Sequence, residues 1–314
     1  MSAAMSAASR RRLLQALLAG TAALALPATA RATGAALAGA PLTRPIPSSG
    51  EQLPLVGLGS WITFNVGNDP VARAGCAEVM RNFFAAGGRL IDSSPMYGSS
   101  QAVIGEGLAR LGLPPQAFAA DKVWIYGGPR GRTQIEASRE AWGVPRFDLL
   151  QVHNLLSWEA HLETLFGMKA AGELRYVGIT TSEGRRHADF ERIMRSQPLD
   201  FVQFSYNVLD REVERRLLPL ARERGIAVLA NRPFRQGALT TALARQPLPP
   251  WAAELGCRSW AQLLLKFIVS HPAVTAAIPA TRRVDHVLEN MAAAHGPMPD
   301  EAMRRRMIAE VEAR

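Results

Sequence analysis

Apolar residues along this chain gather in eight short runs rich in branched side chains: Leu55–Ser60, Arg89–Ser94, Lys122–Tyr126, Phe147–His153, Tyr176–Thr181, Phe201–Tyr206, Ala227–Asn231 and Thr275–Pro279. Runs of that length, bounded by polar or glycine-rich stretches, read as buried strands. Between them the spacing switches to a helical period. One helix opens at Asp69-Pro70, a capping residue with proline at the first helical position, carries Val79, Met80, Phe83 and Phe84 on one face, and stops at Gly87-Gly88. Further helices are predicted over 100–111, 132–142, 158–171, 183–196, 210–224, 258–270 and 284–294. Asp210 is read as the cap of the sixth helix of this series and Pro219 as a kink inside it.

Comparable strand positions, Asp92, Lys122, His153, Gly178, Gln203 and Ala230, recur every 25 to 31 residues. The last step, to Ile278, is longer and contains Gln246-Pro-Leu-Pro-Pro250, read as a long loop. Eight strand-helix units at this spacing predict an α/β fold, a (β/α)8 TIM barrel. An open doubly wound sheet would want a glycine-rich fingerprint after an early strand, and Gly57-Leu-Gly59-Ser60 lacks the third glycine. Thr43–Ile46 and Gln52–Leu55, around Ser48-Ser-Gly50, predict a short N-terminal hairpin plugging the barrel bottom.

Composition narrows this picture. The chain has 314 residues, 48% hydrophobic and 20% charged, which excludes a disordered or fibrous protein. Its two cysteines, Cys76 and Cys257, exclude a disulfide scaffold and a thiolate zinc cluster, and read as two unrelated buried thiols. Lys+Arg total 36 against 27 acids, yet only Lys122, Lys169 and Lys266 are lysine. The arginines are interspersed with acids and form no basic, aromatic stripe, so nucleic acid is not an expected partner.

The first thirty residues form an address. Arg10, Arg11, Arg12, Arg31 and Arg44 all precede the first acid, Glu51. Ser9-Arg-Arg-Arg-Leu-Leu leads into an apolar run to about Leu26, then Pro27 and a small-residue cleavage region, Ala28-Thr-Ala30 or Ala30-Arg-Ala32. The run is too short for a comfortable membrane span, so no stable anchor is expected after cleavage. The paired arginines resemble a twin-arginine export signal, which makes the export machinery a partner and the periplasm the expected location. An ordinary secretory signal, or an unused leader on a cytoplasmic protein, are the other readings. The organisation expected is a signal peptide at 1–32, a linker at 33–42 and the barrel at 43–314.

In such a barrel the strand C-termini carry the chemistry. Asp92, Tyr97, Lys122 and His153 fall at or just after three successive strand ends. A lysine in a chain that otherwise uses arginine is notable, because its pKa moves readily on burial. The segment Asp92-Ser-Ser-Pro-Met-Tyr97-Gly98-Ser-Ser-Gln-Ala-Val-Ile-Gly105 resembles the signature of the aldo/keto reductase family. Gly57-Leu-Gly59, Lys122-Val-Trp124, Asp148-Leu-Leu-Gln-Val-His153, Ile278-Pro279 and Glu289-Asn290 extend the resemblance from about Leu53 to Asn290.

That resemblance implies a nicotinamide-binding barrel reducing a small-molecule aldehyde or ketone by hydride transfer. It implies Tyr97 as general acid, Lys122 lowering the phenol's pKa, Asp92 pairing with Lys122, and His153 bonding to the carbonyl oxygen. The cofactor contacts it implies are Ser60, Trp61, Asp92, Thr180, Thr181, Gln203, Asn231, Arg232, Pro233, Phe234, Gln236, Gly237, Thr281, Arg282, His286, Glu289 and Asn290. Gln203 matches the family glutamine that holds the carboxamide. Thr180-Thr181 stands where the family has Ser-Asn, and Asn231 where it commonly has an aromatic residue that stacks on the nicotinamide. Ala280 and His286 replace a lysine and an arginine, leaving Thr281 and Arg282 to grip a 2′-phosphate. NADP(H) is favoured, with NAD(H) possible and no metal. Trp61, Trp124, Tyr126 and Asn154 are expected to line the substrate pocket, open because the loop Gly127–Gly131 is short. A metal-dependent barrel hydrolase would want several histidines at strand ends, and only His153 sits at one. A nicotinamide-binding sensor or partner subunit with little turnover is the non-enzymatic alternative.

Overall fold

The structure, a computed structural model, describes residues 39–314. The leader read over 1–32 and the linker as far as residue 38 lie outside the described residues. Leu42, assigned to the linker, is already tied to the barrel: its N–H donates to the Ala294 carbonyl (2.8 Å), and its carbonyl accepts from Leu55 N–H (3.0 Å).

The hairpin forms as read. Strands β1 (Thr43–Pro45) and β2 (Gln52–Pro54) pair antiparallel, and Gly50, at φ +76°, supplies the left-handed step of their turn. Eight parallel strands follow: β3 (Leu58–Gly59), β4 (Leu90–Asp92), β5 (Phe118–Val123), β6 (Phe147–Val152), β7 (Leu174–Thr180), β8 (Phe201–Ser205), β9 (Ala227–Asn231) and β10 (Ala276–Ala277). Each is bonded to its sequence neighbour. The ring closes between β3 and β10, where Gly57 N–H meets the Ala277 carbonyl (2.8 Å) and Gly59 N–H the Pro279 carbonyl (3.0 Å). A Cβ on Gly59 would stand 2.7 Å from the Ile278 carbonyl oxygen, so this closure needs glycine.

The helices wrapped around the ring are α1 (Pro70–Ala85), α2 (Ser100–Arg110), α3 (Gly128–Trp142), α4 (Trp158–Ala170), α5 (His187–Ser196), α6 (Leu217–Glu223), α7 (Ala238–Leu243), α8 (Trp260–Val269), α9 (Val284–Ala292) and α10 (Glu301–Glu312). The Asp69 side chain caps α1 by accepting from Val71 and Ala72 N–H.

Strand alternation divides the core in two. On β5, Phe118 and Ala120 face the barrel interior while Ala119 and Val123 pack under helices. On β6, Leu149 is interior and Leu150 and Val152 are outward. The interior is apolar at the bottom, where Leu90, Phe118, Leu149, Tyr176 and Phe201 meet Ile46 and Leu53 of the hairpin. One or two interior steps further along these strands come Asp92, Lys122, Gln151, Thr180 and Gln203, all buried. The same period of two that fills the bottom with hydrocarbon therefore delivers polar groups to the top. Glu51 staples the hairpin in place, accepting from Arg89 (2.8 Å), Tyr176 (2.9 Å) and Arg175. Burial pushes its carboxyl up, but these three donors together hold it below the usual carboxylate range.

Several boundaries depart from the sequence reading. The strand expected at Lys122–Tyr126 is Phe118–Val123, so Lys122 stands near the end of its strand rather than heading it. Ala119-Ala120-Asp121 lacks branched residues, and pairing with β4 and β6 on both sides overrides that weak local preference. Asp121, on the outward face, is fully buried. It accepts from Gln101 Nε2 (2.7 Å) and Lys122 N–H (2.8 Å), while burial pushes its carboxyl up to about 7.

The helix expected over 210–224 is a 3₁₀ turn at Glu212–Glu214 followed by α6. Asp210 does not cap it, accepting instead from the Asn207 side chain (2.8 Å). Pro219 lies in the first turn of α6, where its missing N–H breaks no helical bond and forces no kink. Helix α5 starts at His187, because Glu183 and Arg186 are left-handed. The proline-rich loop carries a 3₁₀ turn, Pro250–Leu255, whose Trp251 is buried.

Candidate active site

Asp92 ends β4 and Lys122 is the last interior-facing residue of β5, which brings them together inside the mouth of the barrel. Lys122 Nζ donates to Asp92 Oδ2 (2.5 Å) and to the Ser93 carbonyl (2.6 Å). Asp92 Oδ1 accepts from Gln203 Nε2 (2.9 Å) and Gln151 Nε2 (3.4 Å). The chain after Asp92 turns at Ser94-Pro-Met-Tyr97, with Tyr97 N–H donating to the Ser94 carbonyl (3.0 Å). The turn brings the Tyr97 ring over the ammonium, 5.2 Å from Nζ to ring centre. His153, just past the end of β6, sets its ring edge-on to Tyr97, with centroids 5.8 Å apart. All four chemically suggestive residues thus converge.

Their charges follow from burial and pairing. Burial alone would pull the Lys122 ammonium down, but Asp92 beside it, with Tyr97 and Asp121 adding, leaves its pKa raised, so the ammonium persists. Lys122 lowers the Tyr97 pKa, as expected, through its charge and its hydrogen bond, but burial raises it by more, so the net shift is upward. Tyr97 is therefore a protonated phenol throughout the neutral range. Burial, then the charges of Lys122 and Arg185, depress the His153 pKa well below the usual imidazole value, so this ring is neutral.

A cavity of about 910 Å³ opens above the four residues and runs across the C-terminal face. Tyr97, His153 and Asp92 line it, with Ser60, Trp61, Asn154, Thr180, Thr181, Gln203, Asn231, Arg232, Pro233, Phe234, Gln236, Gly237, Thr281, His286, Glu289 and Asn290. Lys122 sits beneath this surface rather than in it. Gln203 is committed to Asp92 in this state. Asn231 is pinned, donating to the Thr181 carbonyl (2.9 Å) and accepting from Ser205 Oγ (2.8 Å). Glu183 and Arg232, on the loops after β7 and β9, form an ion pair of 2.8 Å at this cavity.

Three expected residues stand elsewhere. Arg282 is exposed and does not line the cavity. Tyr126 is 71% exposed and outside it, because β5 has already ended and the chain is leaving the mouth. Trp124 lies beside the opening, 6.4 Å from His153 between ring centroids, without lining the cavity itself. Residues the sequence reading passed over include Met96, Glu183, Arg185 and Arg258 at the cavity, and Gln151 and Ser94 beneath it. Gln151 had a readable signal, since it alternates with Leu149 and so faces inward. Arg258 had none, being one exposed arginine among many.

The family model for the aldo/keto reductase family matches residues 55–310, most of the chain. The chain belongs to the aldo/keto reductase family. As such it is an NAD(P)-dependent oxidoreductase acting on carbonyl compounds. It is 29% identical over 252 residues to the methylglyoxal reductase YeaE of Escherichia coli, covering 78% of this chain and 87% of that one. It is 25% identical over 242 residues to an NADH-specific methylglyoxal reductase of the same organism, covering 65% and 71%. An aldo-keto reductase from Klebsiella pneumoniae solved in complex with NADPH shares the fold, with a TM-score of 0.71 at 22% identity over 88% of this reductase and 95% of that chain.

Proposed function

We propose that this reductase converts an aldehyde or ketone to its alcohol with Tyr97 as the proton donor and NADPH as the preferred cofactor. The convergence of phenol, ammonium, carboxylate and imidazole at the mouth of one cleft carries the reading. The cleft suits a dinucleotide: the Gln203 amide adjoins Asp92 and the Asn231 amide adjoins Gln203, the Arg232–Gly237 loop forms a wall, and Thr281, Glu289 and Asn290 add polar groups from the β10–α9 segment. When bound there, a reduced nicotinamide supplies the hydride.

As the carbonyl carbon accepts it, negative charge grows on the oxygen. Tyr97, loaded with its proton by burial, gives that proton to the oxygen. The phenolate left behind faces Lys122, whose ammonium Asp92 keeps in place. Neutral His153 offers a ring N–H to the same oxygen. Arg258, at the cleft, is a cation available to a 2′-phosphate in place of Arg282, with the His286 ring beside the same cavity. Methylglyoxal, named for two relatives, is the first compound to assay. Nicotinamide absorbance should fall on its addition or on addition of another aldehyde, and NADPH should bind more tightly than NADH. No turnover across an aldehyde and ketone panel would sink the reductase reading; tighter NADH binding would reverse the cofactor preference.

The leader supports a proposal about location. We infer export of the folded barrel through the twin-arginine route, with cofactor carried inside it, because Ser9-Arg-Arg-Arg-Leu-Leu precedes a short apolar run. Replacing Arg10 and Arg11 together by lysine should retain the protein in the cytoplasm on cell fractionation. Unchanged export would count against that route.

A further inference from the structure

Ser94 is fully buried between the two residues that would face a substrate oxygen. Its carbonyl receives Tyr97 N–H at 3.0 Å, closing the turn that presents the phenol. Its hydroxyl oxygen lies 3.3 Å from Met96 N–H and 2.7 Å from His153 Nδ1. An amide can only donate, so Met96 uses an acceptor site of Ser94 Oγ. A buried hydroxyl hydrogen needs an acceptor of its own, and Nδ1 is the group placed to take it.

His153 is neutral, so its ring carries a single N–H. If Nδ1 accepts from Ser94, that hydrogen resides on Nε2. The opposite assignment leaves the Ser94 hydrogen without this acceptor and turns a bare Nε2 lone pair towards an electron-rich carbonyl oxygen. Which ring nitrogen of a histidine is protonated is set by the hydrogen bond the other one makes.

We propose that Ser94 is a positioning residue that donates its hydroxyl hydrogen to His153 Nδ1, locks the Nε2–H tautomer, and so aims one N–H donor at the oxygen that Tyr97 protonates. The catalytic part of this proposal rests on the reductase reading above; the tautomer does not. Ser94 thereby ties the proton donor and the orienting imidazole to one residue, its backbone shaping the Tyr97 turn and its side chain setting His153.

The test combines imidazole nitrogen NMR on the full chain labelled with ¹⁵N-histidine and steady-state kinetics on Ser94→Ala and Ser94→Thr. The chain has six histidines, and the His153 signals are identified by their loss in His153→Gln. The parent should show His153 protonated at Nε2 only. Ser94→Ala should show both tautomers, with kcat lowered roughly ten- to a hundredfold, the scale for losing a group that orients a functional histidine, and cofactor Kd unchanged. Ser94→Thr, which keeps the hydroxyl, should restore the Nε2–H tautomer and most of kcat. An Nδ1–H ring in the parent overturns the proposal, as does a Ser94→Ala protein with unchanged tautomer. The NMR readout needs no turnover. A parent without reductase activity would therefore remove the functional reading and leave the tautomer result standing on its own.

Discussion

Replacing Tyr97 by phenylalanine should lower kcat for carbonyl reduction about a thousandfold, within the range for removing a positioned general acid, while cofactor affinity stays within about twofold of the parent, as for an interaction made only in the transition state. The substitution deletes one oxygen and keeps the ring, so the edge-on packing against His153 is preserved. What is lost is the only proton donor of the group with both a hydrogen to give and a stabilised conjugate base. Lys122 is beneath the cavity surface and bonded to Asp92 and to the Ser93 carbonyl, and His153 is neutral. Neither stands in. Comparable turnover in Tyr97→Phe and parent would refute the role of the phenol. Cofactor titration on the same samples separates that outcome from a collapsed site.

Lys122→Met should cost both catalysis and stability. The ammonium is completely buried, and its carboxylate partner nearly so. Removing one member of such a pair leaves the other charge without compensation, a penalty of about 3–5 kcal/mol. Asp92 would keep only the Gln203 and Gln151 amide donors, one of them at 3.4 Å. That loss is a large part of the ~5–15 kcal/mol by which a folded protein usually exceeds its unfolded state. Turnover should fall about a hundredfold or more, because the Tyr97 phenolate would form in a buried site with no cation beside it.

The double variant Asp92→Asn/Lys122→Met removes both charges. It should regain most of the stability and none of the activity, as measured by urea denaturation and by turnover. A single variant as stable as the parent would mean that the pair is not the electrostatic unit described here.

Much of this molecule was legible along the chain. Alternation of apolar runs with helical periods identified the barrel, because each strand must be apolar to be buried in a parallel ring. The hairpin was equally readable, from its turn residues and short flanking runs. The Asp92-to-Gly105 segment and the lysine and histidine on the next two strands pointed to the four residues that meet at the barrel mouth.

Illegible were features that depend on contacts between distant segments. Strand β5 was misplaced because Ala119-Ala120-Asp121 has little strand propensity of its own, and its neighbours β4 and β6 supply the pairing. Arg282 was expected at the cleft from its place in the Ile278-to-His286 pattern and Tyr126 from its place just past a strand, yet a residue or two of offset sends a side chain to another face. The sign of the Lys122 effect on Tyr97 was readable, but the net direction was not: burial outweighs a neighbouring cation, and burial is a property of the whole fold.

Residue order alone set the number and order of the strand-helix units and the strand ends at which Asp92, Tyr97, Lys122 and His153 fall. Tertiary structure decided which side of each strand faces inward at the mouth, and which charges survive there. It joined Asp92 to Gln203 across 111 residues and Ser94 to His153 across 59. Local periodicity is written into neighbouring residues. Register, desolvation and hydrogen-bond partners arise only when remote segments share one closed space.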